Sequence, residues 1–233
     1  MTSAARHSAR AAVPVARQVL QVSSRLLLAN VAPAFDMEIE RQAGRHRLIL
    51  LRATESVACA KGLKLRAGAV LHYELEPSTW TGGTARTTLS LGVPDEPSQG
   101  QLLGRLTRAV ESPADVGQAP VSLALAQLVY CFPDQQWNVI SITRATGCSA
   151  HQLRIRLFRE GAALSTIVNR QRAMHILFAP ATELPSEVAW RIGLETIDAV
   201  ETLFHDTFGI SFSTLRRAAA PSQIFHALYR KTS

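Results

Sequence analysis

The chain has 233 residues, 47% of them hydrophobic, and its 25 lysines and arginines outnumber 18 acids to give a formal net charge of +7. This apolar fraction excludes an intrinsically disordered protein, and the length suffices for one or two domains that each bury a core. The basic balance suits a polyanionic partner such as nucleic acid, although many soluble proteins without such a partner are equally basic.

The first 25 residues contain four arginines and no acid, with several serines and alanines between them. This composition resembles that of an organelle transit peptide, but a frayed basic arm or a short terminal helix fits it better. We therefore predict a basic N-terminal arm over residues 1–25.

Short runs of alternating apolar and polar residues follow, separated by glycine and proline, as is typical of β-strands. The strand candidates are residues 35–42, 45–53, 63–77 and 84–94. They predict a small, β-containing domain over residues 26–95 that serves regulation or dimerisation. His72 and Tyr73 lie in one candidate strand, where packing is the favoured role and a ligand pocket the alternative.

Residues 96–120 are rich in proline and are predicted to be a linker with one short helix at 101–110. From residue 121 onward the apolar spacing is helical to the end. The predicted helices are 121–132, 139–146, 150–160, 163–178, 185–193, 195–208, 211–219 and 222–230. The predicted fold class is therefore α+β, with a small mainly-β domain followed by an all-α domain over residues 121–233.

The all-α part contains one pattern twice, over residues 137–161 and 184–211. Each copy has an apolar helix, a glycine, and a second helix with apolar residues about four apart. This arrangement is typical of a helix-turn-helix unit, whose second helix enters the DNA major groove.

Residues 121–217 resemble the DNA-binding domain of AraC/XylS-type transcription regulators, in which one long helix joins two helix-turn-helix units. The matching residues are Leu153, Leu157 and Gly161 in the first unit, and Ala189, Gly193, Leu194, Phe204, Phe208, Gly209, Ser211 and Arg216 in the second. The resemblance implies a transcription regulator of the bacterial cytoplasm, most commonly an activator, with double-stranded DNA as partner. RNA polymerase or another regulatory protein, a small-molecule effector and a second copy of the chain are the further partners it implies.

Three departures from the family pattern limit what the resemblance implies. Phe212 stands where the family usually has proline, and Ile155 where the first reading helix usually has arginine. Asp198 and Glu201 occupy positions of the second reading helix that usually carry neutral polar or basic residues.

The two units differ sharply in charge. Residues 140–180 contain six arginines and one acid, a net charge of +5, whereas residues 181–215 contain one arginine and six acids, a net charge of −5. Because phosphate contacts need positive charge, we predict that the first unit reads DNA and the second contributes little. Asp198 and Glu201 instead suggest contact with a protein, so the alternative function is regulation through protein–protein contact by a degenerate, acidic second unit.

In the first unit, Leu153 and Leu157 lie one turn apart and are expected to face the core, which turns their neighbours outward. The predicted DNA-binding residues are Ser149, His151, Gln152, Arg154, Arg156, Arg159, Arg170 and Arg172. Arg154 is predicted to bond guanine and Gln152 adenine, while Arg156 and Arg159 meet phosphates. The alternative is that these arginines form the solvated face of an ordinary helical bundle.

The remaining chemistry-bearing residues form no recognisable site. The three cysteines, Cys59, Cys131 and Cys148, are widely spaced and odd in number, which indicates free thiols in a reducing compartment. The sequence shows no metal motif, phosphate-cradling loop or Ser-His-Asp arrangement, and no apolar run near the roughly 18 residues of a membrane span. We therefore expect no cofactor, no metal, no membrane partner and no enzymatic activity. Trp137 and Trp190 are predicted to anchor the core.

Overall fold

The computed structural model describes residues 15–22, 26–42, 47–53, 56–59, 62–67, 71–76, 86–94, 97–111, 120–179 and 182–219. The strands in these ranges are β1 Val15–Val22, β2 Leu26–Val31, β3 Met37–Gln42, β4 Arg47–Ala53, β5 Ser56–Cys59, β6 Gly62–Leu65, β7 Leu71–Glu76 and β8 Arg86–Pro94. The helices are α1 Gln99–Glu111, α2 Val121–Cys131, α3 Val139–Thr146, α4 Ala150–Arg159, α5 Leu164–Leu177, α6 Pro185–Arg191, α7 Ile197–Phe208 and α8 Phe212–Ala218. The predicted α+β class is confirmed.

The strands form two antiparallel sheets, one in the order β1-β8-β3-β6-β5 and one in the order β2-β7-β4. In the first sheet, β1 pairs with β8 along its whole length, from Val15 opposite Pro94 to Val22 opposite Thr87. Alternation along these strands turns apolar side chains such as Leu89 inward, where they join one core with the helices.

Strand β1 corrects the predicted basic arm for residues 15–22, and the other positions of 1–25 lie outside the described residues. Leu20 and Val22 are buried while Arg17 is exposed, so the segment is an amphipathic strand whose arginine content concealed the alternation. Residues 63–77, predicted as one strand, form β6 and β7 in different sheets. The chain turns between them near Ala67, whose backbone N–H donates to the Asp36 carboxylate at 2.9 Å.

Helix α1 lies in the predicted linker and is longer than expected. Its buried residues Leu102, Leu106 and Val110 share one face, and α1 packs against α2 and α3. This face gives the segment a structural role in the helical part. The division of the chain into domains remains a prediction.

Polar side chains join the sheets to the helices. Buried Gln171 of α5 donates to the Ala32 carbonyl at 2.9 Å, and Asn30 at the end of β2 donates to the Thr207 carbonyl of α7 at 3.3 Å. Such bonds fix the segment after β2 against α5 and α7, because a buried polar group left without a partner is costly.

Several sequence predictions fall outside the described residues, namely most of the arm, the side chains of His72 and Tyr73, and the helix at 222–230. Cys131 and Cys148 carry free thiols, as predicted. Within the described ranges, no helix is long and apolar enough to cross a membrane, and no three His, Cys, Asp or Glu residues group as metal ligands.

Candidate nucleic-acid interface

The first unit consists of α3 and α4, and side chains near the helix ends define both. Asn138 and Ser141 cap the start of α3 reciprocally, at 2.8 and 3.0 Å. Gly147 ends α3 in the left-handed conformation, with φ at 74°, where a glycine carries no steric penalty. Ser149 then caps α4, as predicted: its Oγ accepts from the Gln152 N–H at 3.1 Å.

The inner face of α4 is apolar and buried. Leu153 and Leu157 are both buried, and Ile142 of α3 is buried with them. These residues belong to the main core, so α4 is fixed against the rest of the molecule by packing as well as by its cap. The segment predicted to read DNA is therefore a helix with a defined outer side.

The outer face of α4 carries positive and apolar side chains together. His151, Arg154 and Arg159 are exposed and Arg156 is half-buried. Between them lie two apolar residues, Ile155 with 36% and Phe158 with 84% of its surface exposed. The arginines of this helix are thus not enclosed in the molecule, as the prediction of a reading helix requires.

Glu160, the one acid among residues 140–180, forms hydrogen bonds to another helix of the same chain. Its two carboxylate oxygens accept from the backbone N–H groups of Val121 and Ser122, each at 2.8 Å. These two N–H groups lie in the first turn of α2 and have no partner within the helix, and the helix dipole favours a negative charge there. The carboxylate therefore stabilises α2.

Two of the predicted DNA-binding residues, Ser149 and Gln152, form the cap of α4. The Gln152 Oε1 accepts from the Ser149 N–H at 2.9 Å, which completes the reciprocal cap. A bidentate bond from Gln152 to adenine would use both its amide N–H and its carbonyl, and the carbonyl oxygen, which can accept two hydrogen bonds, would be shared with the cap. The structure thus gives Ser149 and Gln152 a role in starting the helix.

The two arginines predicted on α5 lie away from the α4 outer face. Arg172 donates to the carbonyls of Pro133 and Gln135, at 3.0 and 3.1 Å, and burial lowers its pKa. It therefore ties the α2–α3 loop to α5, and its contact with DNA stays a prediction. Arg170 lines a cleft of about 490 Å³ with residues of β2, α5 and α7, including Asp206, and burial lowers its pKa too.

The second unit consists of α6 and α7 and repeats the plan of the first. Gly193 follows α6 with φ at 69°, and a Cβ on it would lie 2.7 Å from the backbone oxygen of Asp134 in the α2–α3 loop. Thr196 caps α7 by accepting from the Ala199 N–H at 3.1 Å. The turn of this unit is thus packed against the α2–α3 loop, which precedes the first unit.

Three of the second unit's six acids make internal bonds. Glu183 forms a two-bond ion pair with Arg191, at 2.8 and 3.1 Å, and Glu187 accepts from the Leu184 N–H at 2.9 Å. The third is Glu201, which had been predicted to contact a protein.

Glu201 accepts from the backbone N–H of Phe212 at 2.9 Å and so caps α8, and its contact with a protein stays a prediction. Asp198, the other predicted contact, is exposed. Glu195 and Asp206 are exposed as well. The acidity of this unit is therefore partly structural and partly on its surface.

Trp190 corrects the prediction of a core anchor, since 82% of its surface is exposed. It lies two residues from each of Val188 and Ile192, both fully buried, and two residues are about 200° around a helix. The tryptophan therefore points outward. Trp137, by contrast, packs against the core and donates to the Phe132 carbonyl at 2.7 Å.

His175 of α5 links the second unit to α2. Its Nε2 donates to the Tyr130 carbonyl at 2.6 Å, its ring stacks on that of Tyr130 at 4.1 Å, and its Nδ1 lies 3.4 Å from Arg191. Burial lowers the pKa of His175 to about 4. The ring is neutral near pH 7, so Nδ1 can accept from the guanidinium.

Comparison with known proteins shows the fold. No family model matches the chain, and no curated protein matches its sequence. ToxT of Vibrio cholerae strain SCE256, in its apo form, matches with a TM-score of 0.57 and 10% identity over 88% of this chain and 98% of ToxT. The P21 crystal form of ToxT has a TM-score of 0.54 and 9% identity over 88% of this chain and 99% of ToxT. ToxT with a bound unsaturated fatty acid has a TM-score of 0.54 and 9% identity over 89% of this chain and 96% of ToxT. At these identities the likeness shows the fold alone, and it is the fold that the AraC-type resemblance predicts.

Proposed function

We propose that this chain, which has the fold of AraC-type regulators, is a sequence-specific DNA-binding transcription regulator that reads the major groove mainly with α4. The outer face of α4 carries the proposal, because it presents Arg154 and Arg159 to solvent. The only acid of that unit, Glu160, caps α2. Phosphates supply most sequence-independent affinity and require such exposed positive charge.

The positions on α4 suggest a division of work. Arg154 lies in the N-terminal half of the helix, the part that meets base edges in this motif, and its guanidinium suits guanine O6 and N7. Arg156 and Arg159 lie further along and suit phosphates, which fix the register of the helix without reading sequence. Arg172 has no part in this proposal.

The finer features rest on the family resemblance. We propose activation as the regulatory sign, RNA polymerase or another regulatory protein as a partner, a homodimer as the active state and the bacterial cytoplasm as the place of action. Because ToxT has been solved with a fatty acid, we also propose a small-molecule effector for this chain. Reporter transcription with and without candidate carboxylic acids tests both sign and effector.

The central test is selection of duplexes from a random pool by the full chain, followed by band-shift titrations at several salt concentrations. We expect one enriched sequence motif and an affinity that falls steeply with salt. Retention of duplexes without any enriched motif would contradict sequence-specific reading, and a flat salt dependence would contradict the phosphate contacts.

The second unit supports a second candidate function, regulation through protein contact. Trp190, Leu184 and Ile197 are exposed apolar residues on this unit, and Glu195 and Asp198 are exposed acids. Exposed aromatic residues are typical of protein interfaces. If this surface binds a protein, Trp190→Ala reduces transcriptional regulation and leaves operator affinity unchanged; an equal loss of operator affinity would contradict the idea.

A further inference from the structure

We infer that Ile155 reads the 5-methyl group of a thymine, so that the centre of the α4 outer face selects its base by apolar contact. This inference rests on the proposed function and specifies how the same surface recognises its operator. It assigns a specificity-determining role to a residue with no hydrogen-bonding group in its side chain.

Ile155 lies two residues from each of the buried leucines, Leu153 and Leu157, which is about 200° around the helix from both. No other residue of α4 is placed so symmetrically opposite the core. His151 and Arg159, one turn before and one turn after Ile155, lie in the same stripe and are exposed. A duplex seated on this stripe meets Ile155 at its middle.

An exposed isoleucine alone would suit any apolar surface, but Ile155 lies between Arg154 and Arg156, with Arg159 one turn further on. Guanidinium groups on both sides of an apolar centre match a partner with phosphates along two edges and something apolar between them. The major groove of DNA has this arrangement.

Among the groups that bases present in the major groove, the thymine methyl is the apolar one. An isoleucine placed against a guanine, adenine or cytosine edge would remove water from donors and acceptors and give no partner in return, which costs free energy. Contact with a methyl group has no such cost, so Ile155 favours thymine both by attraction and by exclusion of the other bases.

The test uses the full chain and the duplex that it selects from a random pool. Each thymine of that duplex is replaced in turn by deoxyuridine, which differs only in lacking the methyl group. For the unaltered chain we expect one position, or one in each half-site, where the replacement weakens binding about four-fold, the effect of removing one methyl group from an apolar contact.

The same series with Ile155→Ala should show no loss at that position, whereas the control Ile140→Ala should keep it. Ile140 is an exposed isoleucine of α3, with 69% of its surface accessible, in the helix of this motif that crosses the backbone. Ile155→Arg provides a gain-of-function arm: repeated selection should replace thymine by guanine at this position, the base that arginine prefers.

The outcomes separate the inference from the function on which it rests. If the chain enriches a motif but no thymine methyl affects binding, or if Ile155→Ala keeps the methyl effect unchanged, the inference is wrong and the proposed function stands. If no motif is enriched at all, the proposed function fails and the inference fails with it.

Discussion

The two helix-turn-helix units share one plan but use their carboxylates differently. The first unit directs its single acid, Glu160, onto the start of α2 and leaves its reading helix basic. The second unit uses Glu183, Glu187 and Glu201 to hold its own helices together. The charge of a segment therefore reflects its internal bonds as well as its surface.

This difference refines the comparison of net charges. Part of the second unit's −5 is structural, yet Glu195, Asp198 and Asp206 remain exposed. These exposed acids repel phosphates, so the second unit should still bind DNA more weakly than the first. The difference should be smaller than the net charges alone imply. Substitutions at the turn glycines and at His175 test how the units are held together. Substitutions at Arg154, Glu201 and Asp198 test what each unit does on DNA.

The largest effect is expected at the turn glycines, which form a matched pair. Gly193→Ala would force a Cβ against the Asp134 backbone in addition to the strain of a positive φ, so we expect a loss of about 2–5 kcal/mol in unfolding free energy. Gly147→Ala has the same strain but open space around its Cβ, and about 1–2 kcal/mol is expected. Urea denaturation measures both, and similar losses would contradict a tighter turn in the second unit.

Acid should weaken the attachment of the second unit through His175. Its folded pKa of about 4 lies below the ordinary 6.5, so the unfolded chain binds a proton first as the pH falls. The stabilisation is complete above pH 6.5 and declines towards pH 4, by on the order of 3 kcal/mol. Urea denaturation of the unaltered chain and His175→Gln across this range isolates the effect, and parallel curves would refute it.

On DNA, the units should differ in how much a single side chain matters. We expect Arg154→Ala to reduce operator binding by about 1–3 kcal/mol, the value of one good base contact. Glu201→Ala removes a cap from α8 and is expected to leave operator affinity nearly unchanged. Band shifts with the selected duplex make the comparison, and equal losses from both variants would contradict the assignment of reading to the first unit.

The smallest effect concerns the exposed acids. Asp198→Asn removes one negative charge from the start of α7, and we expect operator affinity to rise about two-fold at low salt and hardly at all at high salt. Glu111→Gln, an exposed acid at the end of α1, is the matched control. A loss of affinity with Asp198→Asn would instead indicate that this carboxylate accepts from a cytosine.

The helices could be predicted closely because residues near each helix end in the sequence determine where it begins and ends. Gly147 ends α3, Ser149 caps α4 and Gly209 ends α7, each through backbone conformation or a bond to a residue three positions away. The repeated pattern and its family resemblance were likewise readable, because both depend on spacing along a single stretch of chain.

What could not be predicted depends on contacts distant in sequence. The hydrogen bond between Glu160 and Val121 joins residues 39 apart in sequence, and no pattern in the sequence near Glu160 predicts it. The prediction that Trp190 lies in the core depends on the family resemblance, which places an apolar residue near it, but α6 is short and Val188 and Ile192 already define its inner face. Strand β1 could be recognised only from its pairing with β8, which is the last of the described strands along the chain.

The α2–α3 loop has a consequence for the shape of bound DNA. Arg172 of α5 bonds this loop, and Gly193 of the second unit is pressed against it, so α4 and α7 are held at a fixed spacing. If a duplex had to bend to engage both helices, a smooth bend would cost of order 1–6 kcal/mol. Since α7 presents acids and offers little attraction in return, a duplex seated on α4 should remain nearly straight.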